Sequence, residues 1–373
     1  MNKNKTFVDL FYVTFSFKKP EEVLKRCYST VGYLEKLATS FNLYFVARTT
    51  EHSLFSEDKP LKAFLFKGKK LKKWMIPFRF NWFIKSLQPN YILVHGLGFV
   101  HYLIFLKAIL PKSKILLQSN GFAPKPKGIK KYIYKVSDNF IDGYLFTGIE
   151  NAKPWYENKI FTKDKIFSVM EGSTHFKFSG NEKRKPNSFL WVGRLDANKD
   201  PLTILKAFER FLDIEENAIL TMIFHENHLL SQIQDFISNS EKLKKAVLVK
   251  GFVEHHLLEE IYNENEFFIL GSHYEGSGYA LVESMACGCI PVVTNIAPFR
   301  YMTNDGACAY LFTPNREDEL FCQLKRTRDN DLLILQKKVL EQFKNKLSFE
   351  AIANDIMFIF KKIENESISI KRE

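Results

Sequence analysis

At 373 residues, with 46% hydrophobic and 26% charged side chains, the chain has the balance of a soluble globular protein long enough for two domains. That balance excludes a disordered or fibrous class, and no run of about 18 apolar residues reads as a membrane-spanning helix. The net charge of +12 is uneven, since residues 1–180 hold 30 Lys/Arg against 13 Asp/Glu and residues 181–373 hold 24 against 29. Two halves of opposite charge point to different partners, and a basic half fits nucleic acid, an acidic substrate or an anionic membrane surface. No nucleic-acid recognition motif accompanies the charge, so nucleic acid is not expected.

In chain order, residues 7–15 read as a buried strand, and Pro20 opens a helical pattern through Leu37. A second strand covers residues 41–47. Residues 67–79, KGKKLKKWMIPFR, run from Lys67 to Arg79 and interleave lysines with Leu71, Trp74, Met75, Ile76 and Phe78. Charge for headgroups beside apolar bodies for insertion is what an interfacial segment needs, and contact with an anionic membrane surface is expected there. Residues 90–94 form another strand, followed by His95 and an apolar helix to Leu110. Residues 114–117 lead into Gln118-Ser119-Asn120-Gly121, and residues 143–146 into Thr147-Gly148. Strands alternating with helices, with polar residues where strands end, indicate an α/β protein built on a doubly wound parallel sheet. Ligands of such sheets bind beyond the strand C-termini, which makes His95 and Asn120 candidates for an acceptor-side site.

Residues 179–187, SGNEKRKPN, have linker composition. A new sheet starts at residues 189–192, with Gly193-Arg194 at the strand end and Lys199 just before an Asp200-Pro201 helix start. Leu202, Leu205, Phe208 and Leu212 mark the expected buried face of that helix. Arg194 and Lys199 flank one strand-to-helix turn, where arginine can grip a phosphate bidentately and lysine adds a point charge. The alternation continues through strands at 219–224, 247–249 and 267–270, giving a second doubly wound domain. Residues 271–293 read GSHYEGSGYALVESMACGCIPVV. Small residues before a helix admit an anion to the electropositive terminus, and Glu283, in the second turn, can accept bonds from a diol beyond it. This suits a ligand that is part phosphate and part sugar. Near the C-terminus, Phe349, Ile352, Ile356, Phe360 and Ile363 mark one amphipathic helix.

The five cysteines lack a scaffold spacing and read as reduced thiols of a cytoplasmic protein, with Cys287 and Cys289 packing rather than binding metal. The N-terminus carries no signal-peptide pattern. The expected boundaries are an acceptor-side domain over 1–178, a linker over 179–187 and a donor domain over 188–346. The C-terminal helix over 347–373 would return toward the first domain.

The segments FLWVGRLDANKDPLTILKAF and EGSGYALVESMACGCIPVV resemble the strand-Gly-Arg-Leu…Lys and Glu-x7-Glu segments of the retaining nucleotide-sugar glycosyltransferases of family 4, in glycosyl transferases group 1. The resemblance implies a GT-B fold with two Rossmann-like domains facing a cleft. It also implies transfer of a sugar from a nucleotide-diphosphate donor to a glycan or lipid-linked acceptor at the inner membrane face. Neither cofactor nor metal is implied. Arg194 and Lys199 would hold the diphosphate beside Gly193, and Glu275 would hold the transferred sugar. Backbone groups of Gly276, Ser277, Gly278 and Tyr279 would meet sugar and phosphate, Glu283 the ribose, and Phe252 and Val253 the nucleobase. Arg194, Lys199 and Glu275 would carry catalysis. The sequence departs from the family at residues 15–20, where relatives carry a glycine pair, and at Asn120, where a histidine is common. It departs again at His225-Glu226-Asn227, in place of Gly-x-Gly, and at Phe299, in place of an acidic residue. A sugar-nucleotide epimerase of the same fold would need further carboxylates and histidines in the first domain, and a degenerate binding module would not need the charged set intact.

Overall fold

The computed structural model describes residues 5–15, 20–50, 54–56, 61–68, 75–119, 121, 126–328 and 331–369. The chain divides into two compact units, Met1–Ser173 together with Phe349–Glu373, and Thr174–Ser348.

The first unit runs β1 (Thr6–Phe15), α1 (Pro20–Arg26), α2 (Tyr28–Ala38), β2 (Asn42–Thr49), β3 (Leu54–Ser56), β4 (Lys62–Lys67), α3 (Phe78–Ser86), β5 (Tyr91–His95), α4 (Val100–Ile109), β6 (Lys114–Gln118), α5 (Ile129–Ser137), β7 (Gly143–Phe146), α6 (Lys153–Tyr156) and β8 (Ile166–Ser168). Its sheet has the order β3-β4-β2-β1-β5-β6-β7-β8, parallel except for the edge strand β3, which lies antiparallel to β4. Strand alternation sends Val8, Leu10 and Tyr12 of β1 into a core shared with α3 and α4. On the opposite face, Phe7 meets Phe360 edge-on at a centroid distance of 5.6 Å.

Phe360 belongs to the final helix, α15 (Phe349–Ser369), whose residues Phe349, Ile352, Ile356, Phe360 and Ile363 are all buried. The helix read as continuous from Pro20 to Leu37 is two helices broken at Cys27, whose backbone (φ −91°, ψ 24°) is not helical. Apolar periodicity persists through the break, so the pattern alone does not reveal it. In α2, Gly32 lies directly under the Phe349 ring, where a Cβ would overlap the ring atoms.

The second unit runs β9 (Lys185–Val192), α7 (Pro201–Phe211), β10 (Ile219–Ile223), α8 (Leu230–Ser238), α9 (Glu241–Ala246), β11 (Val247–Gly251), α10 (Leu258–Glu264), β12 (Asn265–Leu270), α11 (Tyr279–Ala286), β13 (Ile290–Thr294), α12 (Ala297–Met302), β14 (Tyr310–Phe312), α13 (Glu317–Arg326) and α14 (Leu332–Gln342). The sheet order is β11-β10-β9-β12-β13-β14, all parallel. The chain builds outward from β9 to β11, then returns to the other side of β9 and builds outward again. The crevice beyond β9 and β12 is therefore the topological switch point, where the loops leaving two adjacent strands diverge.

The core of this unit is aromatic at that junction, with Phe189 of β9 stacked on Phe267 of β12 at 4.7 Å. On α7 the buried face is centred on Ile204, Phe208 and Phe211, and Leu202 is only half-buried. Residues 179–187, of linker composition, are tied into this unit. Ser179 N donates to Asn263 Oδ1 at 2.9 Å, Arg184 donates to the Cys287 carbonyl at 2.7 Å, and the last three residues already belong to β9. Polar composition marked the stretch, but its polar groups are spent on partners within the unit. Among the described residues, no helix is long and apolar enough to cross a membrane.

Candidate functional site

The site grows from the two loops at the switch point of the second unit. The loop after β9 leaves at Gly193, where a Cβ would touch the Trp191 ring at 3.3 Å and the Lys199 side chain at 3.5 Å. It ends at Asp200, which adopts a left-handed conformation (φ 44°, ψ 57°), and Asp200 Oδ1 accepts the Thr203 amide at 3.3 Å to cap α7. The loop after β12 leaves at Gly271, which approaches the backbone carbonyls of Asp200 and Lys199 so closely that a Cβ would lie 3.0 Å from the former.

Backbone and side-chain bonds lock these loops together. The amide of His273 donates to the Asn198 carbonyl at 2.8 Å, Tyr274 N donates to Asn198 Oδ1 at 3.1 Å, and Asn198 Nδ2 donates to the Tyr274 carbonyl at 3.0 Å. His273 also pairs with Asp200 Oδ2 at 3.1 Å.

That cross-bracing sets Lys199 against Glu275, 76 positions apart in sequence. The Lys199 ammonium donates to Glu275 Oε1, and both side chains are only 12% exposed. The buried Ser272 hydroxyl donates to the same carboxylate oxygen at 2.7 Å. Three donors on the ammonium leave capacity for a second anion beside the carboxylate. Arg194 is more open, with its guanidinium 3.3 Å from Asp196 Oδ2 and its side chain 47% exposed.

Gly276, Ser277 and Gly278 carry the chain from Glu275 into α11. Gly278 is the N-cap, with φ 60° and ψ 51°, and a Cβ there would lie 2.8 Å from Phe299 Cε1. Phe299, standing where relatives often carry an acidic residue, is thus a fully buried packing residue under the α11 terminus. That terminus, starting at Tyr279, presents the positive end of the helix dipole.

Glu283 sits in the second turn of α11, buried, and accepts from His255 Nε2 at 2.7 Å and from the Tyr262 hydroxyl at 3.3 Å. His255 stacks on Phe176, with centroids 5.0 Å apart. The hydrogen bond to Glu283 raises the imidazole above its ordinary pKa, against the opposing effect of burial. This contact brings the loop after β11, with exposed Phe252 and half-buried Val253, to the side of α11 that carries Glu283. Cys287 and Cys289 are buried behind the helix, and burial pushes the Cys289 thiol up to about 11.

The structure therefore brings Arg194, Lys199, Glu275, the start of α11, Glu283 and the Phe252 loop to one edge of one sheet. Sequence reasoning missed Ser272, Asn198, His273, His255 and Tyr262, which brace that set. Only proximity marks them, because none shares a spacing motif with the residue it supports. The His225-Glu226-Asn227 loop also belongs to this edge, with the Leu195 amide donating to the Glu226 carbonyl at 3.0 Å.

His95, in the first unit, is the last residue of β5 rather than a loop residue. It is buried, bonded to Asp9 Oδ1 at 2.7 Å and stacked on Phe11 at 4.0 Å. Asn120 lies outside the described residues, as do residues 69–74 of the basic segment and residues 16–19 of the first departure.

The family model for glycosyl transferases group 1 matches residues 173–346, the second unit almost end to end. The second unit is thus similar to the glycosyl transferases group 1 family. Similarity to curated glycosyltransferases extends further. The chain is 26% identical over 235 residues to the capsular polysaccharide biosynthesis glycosyltransferase CapH of Staphylococcus aureus, covering 61% of this chain and 65% of that one. It is 28% identical over 172 residues to the N-acetylgalactosamine-N,N'-diacetylbacillosaminyl-diphospho-undecaprenol 4-alpha-N-acetylgalactosaminyltransferase of Campylobacter jejuni, covering 46% and 44%. The chain thus spans under two thirds of the length of these relatives. Among solved structures, a glycosyltransferase from Rickettsia africae superposes with a TM-score of 0.70 at 14% identity, covering 96% of this chain and 99% of that one. A sucrose-phosphate synthase from Thermosynechococcus elongatus gives 0.68 at 14%, covering 97% and 100%. These likenesses establish the fold, two parallel-sheet α/β domains of GT-B type.

Proposed function

We propose that this chain is a retaining glycosyltransferase of the glycosyl transferases group 1 family. It would move a sugar from a nucleoside-diphosphate donor to a glycan or lipid-linked acceptor, in the synthesis of cell-surface polysaccharide or glycolipid at the cytoplasmic membrane face. The observation that carries the reading is the Lys199–Glu275 pair, built on two cross-braced loops at the switch point and flanked by the start of α11 and by Glu283. The curated relatives add direction, one being named for capsular polysaccharide biosynthesis and another for transfer onto a diphospho-undecaprenol-linked sugar.

In this reading the bond between the anomeric carbon and the diphosphate oxygen breaks, and its electron pair leaves with the nucleoside diphosphate. Charge grows on that oxygen as the sugar becomes oxocarbenium-like. Arg194, Lys199 and the α11 dipole meet the growing charge without reorganising, which is where such sites gain most. Two cations suffice to neutralise a diphosphate, so no metal is required. Glu275 orients sugar hydroxyls while its partner Lys199 turns a second N–H toward phosphate. Glu283, oriented by His255 and Tyr262, accepts from the ribose diol, and the Phe252–Val253 loop faces the base. The acceptor hydroxyl attacks from the face the diphosphate leaves, and its proton passes to the departing phosphate oxygen, so no protein nucleophile is needed.

Incubation of the full chain with a panel of nucleotide sugars tests this, reading nucleoside-diphosphate release and thermal shift. Release with at least one donor, lowered by about one to two decades in Lys199→Ala, is the expected result. No shift and no release with any donor would remove the reading.

A further inference from the structure

We propose that the outer surface of α3, α4 and α5 docks the first unit on an anionic lipid bilayer. The three helices share one side of the first sheet. The chain steps from β4 to β5, β6 and β7 in one direction across the sheet, and right-handed crossovers in one direction place their helices on one face. Packing agrees, because Phe80 and Ile84 of α3, Leu103 and Leu106 of α4 and Ile133 of α5 all join one core cluster. Phe78 of α3 meets Phe105 of α4 edge-on at 4.9 Å, so the helices are neighbours.

Two of them also expose large apolar groups, α3 Phe78 at 53% and Trp82 at 52%, and α5 Ile129 at 78% and Tyr132 at 68%. Apolar residues scattered singly over a surface need no explanation; pairs on each of the two helices that flank α4 do. The charge pattern supplies one. The three helices contain no Asp or Glu, yet carry Arg79, Lys85, Lys107, Lys130, Lys131 and Lys135. Lys107 is held by Asp142 at 2.8 Å, and Lys85 lies 4.4 Å from the centroid of the Trp82 ring.

Cations interspersed with aromatic and aliphatic groups, without carboxylates, match a surface that is anionic at the headgroups and apolar just beneath. Tryptophan and tyrosine suit that boundary, with a ring for the acyl edge and a polar atom for water. A polyanion such as RNA would use the lysines but leave Phe78 and Ile129 with nothing to contact. The described end of the basic segment, Met75 to Phe78, leads straight into α3 and extends the same surface.

This inference does not depend on the donor chemistry, and its readout is separate from turnover. Full-length protein is sedimented with vesicles of phosphatidylcholine alone or mixed with phosphatidylglycerol. Binding is expected only with phosphatidylglycerol, and it should fall as salt is raised. Lys130→Glu with Lys131→Glu should weaken it by about tenfold or more, as each lysine near an anionic surface contributes measurably. Trp82→Ser with Tyr132→Ser should weaken it while leaving its salt dependence in place. Melting temperature and nucleotide thermal shift, measured without vesicles, should stay at wild-type values and show that the variants fold. Equal binding by all variants, equal binding to both vesicle types, or retention on RNA with none on vesicles would each overturn the proposal.

Discussion

The residue that organises the site is Glu275, because it pairs with a lysine from another loop, the lysine proposed to meet phosphate. Each charged hydrogen bond there is worth about 1.5–3 kcal/mol, so Lys199→Ala and Glu275→Ala should each lower donor turnover by about one to two decades. The two losses should fall short of adding in the double variant, since each single change removes the shared contact. Initial-rate kinetics on the four proteins measures this. A second residue-scale prediction concerns His255. Its pKa is raised in the folded protein by the bond to Glu283, so the stabilisation is fully present below the unfolded value of about 6.5 and is lost as pH rises through the folded value. The melting temperature of wild type should therefore exceed that of His255→Ala most at about pH 6, with the gap narrowing on the alkaline side. A gap that widened with pH would contradict the pairing. Glu283, Arg194 and Lys199 stood out in the sequence because glycines and a helix start surround them. His255 did not, since its importance comes from lying beside Glu283 in space, 28 positions away in sequence.

At the scale of elements, two glycines set close approaches that no larger residue allows. Gly278 combines a left-handed backbone with the Phe299 ring at the site of a missing Cβ. Gly278→Ala should destabilise the protein by about 1–3 kcal/mol and tilt the α11 terminus, so that donor affinity falls together with the denaturant midpoint. Gly32→Ala should produce a comparable stability loss by forcing the Phe349 ring off α2, without altering nucleotide thermal shift, because that contact lies in the other unit. Element identity was largely legible from period and turn residues. The inner strands of both sheets, the Asp200 cap and the buried stripe of α15 follow from local pattern, whereas the parallel strands β4, β8 and β14 were not read from it. The Cys27 break and the β3 edge were not legible. The break leaves apolar spacing intact, and a three-residue strand carries too little periodicity to register.

For the molecule as a whole, the proposed neutralisation of a diphosphate by side-chain cations predicts that turnover survives a chelator. Rates with and without EDTA should agree within about twofold, and a loss of more than about tenfold would mean that a metal shares the phosphate role. The uneven charge seen in composition has a structural counterpart in the carboxylate-free helices α3, α4 and α5.

The sequence by itself determined the alternation of strands and helices and the chemical types at the ends of the inner strands. Those depend on local propensity and period, which neighbouring residues encode. The order in which strands pair was decided only by tertiary structure. Placing β12 beside β9 converts two loops 76 positions apart into one braced site and gives Glu275 its lysine, while the connection leaving β11 brings His255 to Glu283. Hydrogen bonds between loops depend on distance in space, and no spacing along the chain records it.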